Sequence, residues 1–281
     1  MRFGPRPLGT ALRGGLVLAA LWMVGTGLTQ LWAQQFRPDR PFECAPWKAD
    51  GPPREFHFTR GIYSPAGGGA GGFFGGGFGR AARAWCTDHP KAEEQFLEVL
   101  DRLTGIDAHP YGNAIRLDDP DLRRYPILYM LEVGYMGMTN AEVEGLRGYL
   151  LAGGFLIIDD FWGTREWLNF EREMARVLPE YDIVELSMDH PVYRAYYQAD
   201  TIYQVPAIRS NGNYSRTWEQ DGYEARNFGI FDEKGRLLVA INWNTDLGDA
   251  WEWMEQPSYP LRFSTYAYQI GVNYIIHAMS R

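Results

Sequence analysis

The sequence predicts an α/β fold: a doubly wound, mostly parallel sheet followed by a C-terminal β-hairpin and a core helix. Three observations carry this. Two short apolar runs, Tyr125 to Val133 and Phe155 to Ile158, have strand length and no alternation, as strands buried on both faces do. Segments with helical periodicity stand before, between and after them. The resulting order of strand, helix, buried strand, helix, buried strand, helix is the alternation that right-handed crossovers impose on a parallel sheet. The 281 residues are 46% apolar and 22% charged, enough to bury the core of one large domain.

The elements follow in order. Arg2, Arg6 and Arg13 precede an apolar run from Gly14 to about Leu28, and Leu31-Trp32-Ala33 closes it. Residues 1–33 therefore read as a secretory signal peptide or, if uncleaved, an N-terminal membrane anchor. Both place the body outside the cytoplasm, in the periplasm or on the outer face of the inner membrane. Residues 34–54 read as an extended arm or linker, and 55–281 as a single domain. The alternating Glu55 to Arg60 is a first strand. The glycine tract 67–79, with Phe73, Phe74 and Phe78, is an insertion without the GK[ST] of a phosphate loop. Thr87 or Asp88 is placed to cap a helix whose face is Ala92, Phe96, Leu100 and Leu103, stopped by Gly105. Thr139 and Glu142 form a capping box before the stripe Val143, Leu146 and Leu150. Glu166 to Leu178 is a helix, Tyr181 to Leu186 a short strand, and Phe228 to Trp243 a hairpin turning at Asp232 to Gly235. Phe263, Tyr266, Ala267, Ile270, Tyr274 and Ala278 mark the last helix.

Composition removes some functions. With 27 Lys and Arg against 35 Asp and Glu, the net charge is −8, and sequence-independent nucleic-acid binding lacks its basic footprint. Contact with a membrane is expected only through an uncleaved N-terminal segment. The two cysteines, Cys44 and Cys86, form no CxxC, so a zinc ribbon and a thioredoxin-type site are excluded. They either bridge in an oxidising compartment or are two unrelated small residues.

Two levels of resemblance follow from particular segments. Leu146 to Asp160 runs helix, Gly153-Gly154, apolar strand and polar turn, and Met188-Asp189-His190-Pro191-Val192 follows later. Both are similar to passages of the class I glutamine amidotransferase-like superfamily, especially its trehalose-utilisation (ThuA-like) branch. That resemblance implies a flavodoxin-like parallel sheet. More closely, Phe58 to Gly61 with Tyr63, Gly153 to Asp160, Ala240 to Glu252 and Tyr268 to Ile275 resemble an exported bacterial family called domain of unknown function 4159. An amidotransferase needs a thiolate at the strand-to-helix turn. Here that turn carries Asp159-Asp160, and no Gly-x-Ser-x-Gly elbow replaces it.

The remaining candidates are carboxylates and tryptophans. Asp159 and Asp160 end a buried strand, where open α/β sheets bind ligands, and Glu132 ends its neighbour. Together they suit a ligand, a divalent cation or acid–base work, while two Asp before a helix also serve as caps. His190 is a candidate ligand or base, or a turn fixed by its own hydrogen bonds beside Pro191. His57 and His109 stand isolated in the sequence. Trp243, Asp246, Asp249 and Trp251 interleave aromatic faces with carboxylates, as sugar recognition uses. The alternative is a loop in which the Trp plug the sheet edge and the Asp make Asx turns. No cofactor is expected, with a divalent cation as the alternative. The expected function is a non-catalytic envelope module binding a glycan, a peptide or a partner protein. Its alternative is a carboxylate- or metal-dependent hydrolase of an envelope carbohydrate, with Asp159 and Asp160 as acid/base or ligands and His190 assisting.

Overall fold

A computed structural model describes Cys44, Pro46, Lys48 and residues 54–67 and 81–280. Residues 1–33, expected to be a signal peptide or anchor, most of 34–54 and nearly all of the glycine tract lie outside the described residues. Seven strands form one sheet: β1 (Thr59–Ile62), β2 (Asn113–Arg116), β3 (Ile127–Leu131), β4 (Phe155–Asp159), β5 (Ile183–Glu185), β6 (Arg226–Phe231) and β7 (Leu237–Trp243). Their order across the sheet is β2-β1-β3-β4-β7-β6-β5. All pairings from β2 to β7 are parallel, and only β6 runs against its neighbours.

Among the described residues the α-helices are α1 (Lys91–Thr104), α2 (Asn140–Leu151), α3 (Gly163–Val177), the short α4 (Leu247–Glu252) and α5 (Leu261–Met279). They cover both faces, which is why the central strands are apolar without alternation. Ile127, Tyr129 and Leu131 of β3 pack with Phe96 and Leu100 of α1 and Tyr266 and Ile270 of α5. Leu128 and Met130, pointing the other way, pack with Leu146 of α2 and Phe170 and Met174 of α3. Among the described residues no helix is long and apolar enough to cross a membrane.

Local signals held where the chemistry was local. Thr139 and Glu142 make the reciprocal capping box of α2. Gly105, at φ 71°, ends α1 with its N–H on the Asp101 carbonyl. Asp232 accepts the N–H groups of Lys234 and Arg236 in the hairpin turn, and Gly235 sits at φ 74°.

Other expectations need correction. The hairpin is no appendage, because β7 enters the sheet interior beside β4. The first strand begins later, at Thr59, and edge strand β2 carries too little apolar pattern to stand out. Neither Thr87 nor Asp88 caps α1; Pro90 takes the N-cap position without a side-chain hydrogen bond. Leu103 is exposed, outside the buried face of α1. The rings of His57 and His109 stack at 5.1 Å, because Phe56 pairs with Ala108 and brings the two segments together. Cys44 and Cys86 are joined in a disulfide, the first of the two readings that the sequence leaves open.

Candidate acidic site at the sheet edge

Four connections leave the C-terminal ends of parallel strands and meet. They carry Asp88 (between β1 and α1), Glu132 (after β3), Asp160 (after β4) and Asn244 to Asp249 (after β7). Asp88, Glu132, Asp160 and Asn244 all hold left-handed backbones, at φ 64°, 51°, 45° and 59°. Such conformations cost about 1–3 kcal/mol each and persist where surrounding structure imposes them. The imposing contacts are backbone hydrogen bonds between the connections. Glu132 N–H donates to the Asp160 carbonyl (2.9 Å), Asp160 N–H to Thr245 (3.1 Å) and Asn244 N–H to Phe161 (3.0 Å).

The side chains fall into two groups. The first builds the edge. Asp159 Oδ2 accepts the Tyr129 hydroxyl (2.7 Å) and the first N–H groups of α4, from Leu247 (2.8 Å) and Gly248 (3.1 Å). It thus places a carboxylate from β4 against a helix N-terminus, where N–H groups lack partners of their own. Asp160 Oδ1 accepts the Trp162 indole N–H (2.8 Å). Asn244 accepts from Gly163 and donates to the Glu224 carbonyl.

The second group is a carboxylate cluster. One oxygen from each of Asp88, Asp246 and Asp249 lies within 4.8 Å of the others. Asp246 caps α4 through the Asp249 N–H (2.8 Å). Asp249 is held by the Ile208 N–H (2.6 Å) and the Trp253 indole (3.1 Å). Asp88 Oδ2 is enclosed and has no hydrogen-bond partner.

Burial without a counter-charge raises the affinity of this edge for protons. Burial lifts Asp159 to about 7 and Glu252, beside Asp249, to about 7. Burial also pushes Asp88, Asp160, Asp246 and Asp249 upward, and mutual repulsion adds to it for Asp88, Asp160 and Asp246. A wholly buried cation, Arg60, stands nearby but is committed elsewhere. Its Nε and one terminal nitrogen grip Glu93 (3.1 and 2.8 Å), and the other donates to the Thr87 carbonyl (2.6 Å). That grip positions the turn that delivers Asp88. Burial pushes Glu93 up, and Arg60 together with a hydrogen bond from His89 overrides it and holds Glu93 at about 2.

Sequence expectation and structure part at several residues. Glu132, Asp159, Asp160, Asp246 and Asp249 do gather at one edge. Trp251 offers no face for a sugar, being 1% exposed among Phe58, Phe96 and Tyr129. Trp243 lies against Trp167 and Phe228, on the opposite face. Both plug the fold because rings this large complete the core where α4 and β7 end. His190 is far from the carboxylates. Its ring borders Phe231 and His277, and His277 borders Phe155, the first residue of the strand that Asp159 ends. His190 Nδ1 accepts the Val192 N–H (3.3 Å), the turn-fixing role. The sequence reading missed Asp88, whose position before Pro90 looks like a cap, and Glu252. The buried Arg60 likewise carries no local signal of its part in the site.

The fold and site together define an α/β protein with a carboxylate-lined edge. The model of the family described as a domain of unknown function (DUF4159) matches residues 78–279, and the chain belongs to that family. No curated protein matches the chain.

Proposed function

We propose that this chain is an exported binding domain of the cell envelope, built on an amidotransferase-like sheet and recognising a polar, acidic glycan without turning it over. The observation that carries the reading is an open hollow of about 380 Å³ beside the carboxylate edge, lined by Ile208, Arg209, Asn211, Asn213, Ser215 and Arg216 among others. Its size suits a small ligand, and its amides, hydroxyl and two guanidinium groups suit hydroxyls and carboxylates. The Ile208 N–H donates to Asp249, so the hollow is anchored to the site.

Three facts support the rest of the reading. The parallel strands run in the order β2-β1-β3-β4-β7, the order of flavodoxin-like sheets. Both cysteines are consumed by the disulfide, which leaves no thiolate for amidotransfer. That disulfide also fits an oxidising compartment. The hydrolase alternative draws on Asp159 and Glu252, whose affinity for protons suits proton transfer near neutrality. Asp159 is 0% exposed and bound by three donors, so it fits a structural role better than contact with substrate.

Calorimetric titration of the protein with acidic envelope-glycan fragments tests the reading. Saturable binding should fall at least tenfold when Arg209 and Arg216 are both replaced by Ala. Absence of binding across the panel sinks it. So does turnover of a fragment that Asp160→Asn abolishes, which would promote the hydrolase.

A further inference from the structure

We propose that Asp88, Asp246 and Asp249 form a binding site for a divalent cation of the size of Ca²⁺. The site adjoins the hollow lined by Arg209 and Arg216, because its Asp249 accepts the Ile208 N–H at the edge of that hollow. Its three carboxylates come from two remote parts of the chain, the connection before α1 and the start of α4, yet one oxygen of each lies within 4.8 Å of the others.

Acidic side chains do sit together at protein surfaces without an ion, but this cluster differs in two respects. Asp88 Oδ2 is enclosed by protein and has no hydrogen-bond partner. Asp159, 0% exposed and tied to the same helix N-terminus, also has one partnerless oxygen, Oδ1. A buried carboxylate oxygen without a donor is costly, and a cation is the partner that removes the cost for several oxygens at once. Among the described residues no side chain supplies such a cation. Arg60 is spent on Glu93 and on main-chain carbonyls, and the Lys91 ammonium lies 4.1 Å over the Trp253 ring.

Space is reserved as well. A Cβ on Gly248 would stand 2.4 Å from Asp88 Oδ2 and 3.5 Å from Asp246 Oδ1. Glycine therefore keeps the place between these two carboxylates clear. The left-handed Asp88 backbone, at φ 64°, goes with a side chain that joins the cluster and leaves α1 uncapped. The donors on Asp249 and Asp246 orient those carboxylates while leaving lone pairs on each oxygen.

The ligand chemistry selects the ion. An all-carboxylate set suits hard cations and lacks the nitrogen or sulfur that zinc favours. Mg²⁺ keeps several waters and takes one or two carboxylates, whereas Ca²⁺ accepts several carboxylates in a flexible shell, with oxygens about 2.3–2.6 Å from the ion and up to about 5 Å apart. Three oxygens that all lie within 4.8 Å of one another meet that condition.

The test uses the full chain stripped with a chelator, with Ca²⁺ and then Tb³⁺ as probes. Ca²⁺ should raise the melting temperature saturably. Tb³⁺ should emit on excitation of tryptophan, because the Trp253 indole bonds a proposed ligand, and Ca²⁺ should displace it. Asp88→Asn should abolish both signals without lowering the melting temperature of the stripped protein, since Asn keeps the size of the side chain and removes only its charge. Asp101→Asn, on the exposed side of α1, should leave both intact. No shift at about 10 mM Ca²⁺, above the range of weak extracellular sites, overturns the proposal. A shift that survives Asp88→Asn, or vanishes in Asp101→Asn, overturns it equally. Glycan titration in the presence of chelator separates this failure from failure of the binding reading.

Discussion

At the scale of single residues, the acidic edge depends on where side chains are left out as much as on where they are placed. Gly248 is the clearest case. It lies in α4, where alanine would ordinarily be favoured by about 1 kcal/mol. Its Cβ would nevertheless meet Asp88 Oδ2 at 2.4 Å and the Tyr129 hydroxyl at 3.1 Å. Gly248→Ala should therefore lower stability by about 1–3 kcal/mol in urea unfolding, the cost of forcing bulk into a packed site. An unchanged or raised midpoint would show that the carboxylates are free to move aside. Arg60 makes the complementary point. Read alone in strand β1, it is one basic residue among apolar neighbours. Its importance comes from Glu93, 33 positions away, and no periodicity reports that partnership.

At the scale of elements, capping explains what the sequence revealed and what it concealed. The Thr139 and Glu142 box was legible because both halves of the interaction lie within one turn. The cap of α4 was only half legible. Asp246 is local to the helix, but Asp159 arrives from β4, 88 positions from Leu247. The same Asp159 looks from sequence like a site residue or a cap for the next helix, and it instead supports a helix from another part of the chain. The disulfide is an element-scale constraint of a related kind. Cys44 and Cys86 are 42 positions apart, and closing such a loop in the unfolded chain is worth about 4 kcal/mol on the entropy model. Reduction should lower stability by roughly that amount, measured as the difference in urea midpoints with and without reductant. A difference near zero would mean that the crosslink does not stabilise the folded state.

At the scale of the whole molecule, the uncompensated carboxylates govern the response to pH. The native state holds the Asp159 proton up to about 7, whereas the unfolded chain releases it near the ordinary value of 3.8. Between those values the native state binds more protons than the unfolded one. The contribution of Asp159 to stability is therefore present at low pH and is lost as pH rises toward neutrality. For Asp159 alone the swing is on the order of 4 kcal/mol. Glu93 acts with the opposite sign. Its native value of about 2 lies below its ordinary 4.5, so its contribution is present above 4.5 and is lost as pH falls toward 2. Chelator-treated protein should melt higher at pH 5 than at pH 8, by on the order of 10 °C. Ca²⁺ should shrink the difference by stabilising the charged carboxylates at pH 8. A melting temperature that rises from pH 5 to pH 8 without metal would show that the carboxylates are compensated by some other means.

The α/β class, the two central strands, the capping box, the hairpin turn and the final helix followed from the sequence alone. Each rests on interactions within a few residues or on a periodicity that burial imposes directly. The convergence of Glu132, Asp159, Asp160, Asp246 and Asp249 was legible in part, because the ends of parallel strands share one edge. Tertiary structure alone decided that Asp88 joins them, that Trp251 is core while Trp243 packs half-buried against the core on the other face, and that His190 sits at the other end of the sheet. The physical reason is common to all of them. A side chain's role here is set by which distant backbone donors, charges and rings surround it, and strand order across the sheet, which no local pattern encodes, determines those neighbours.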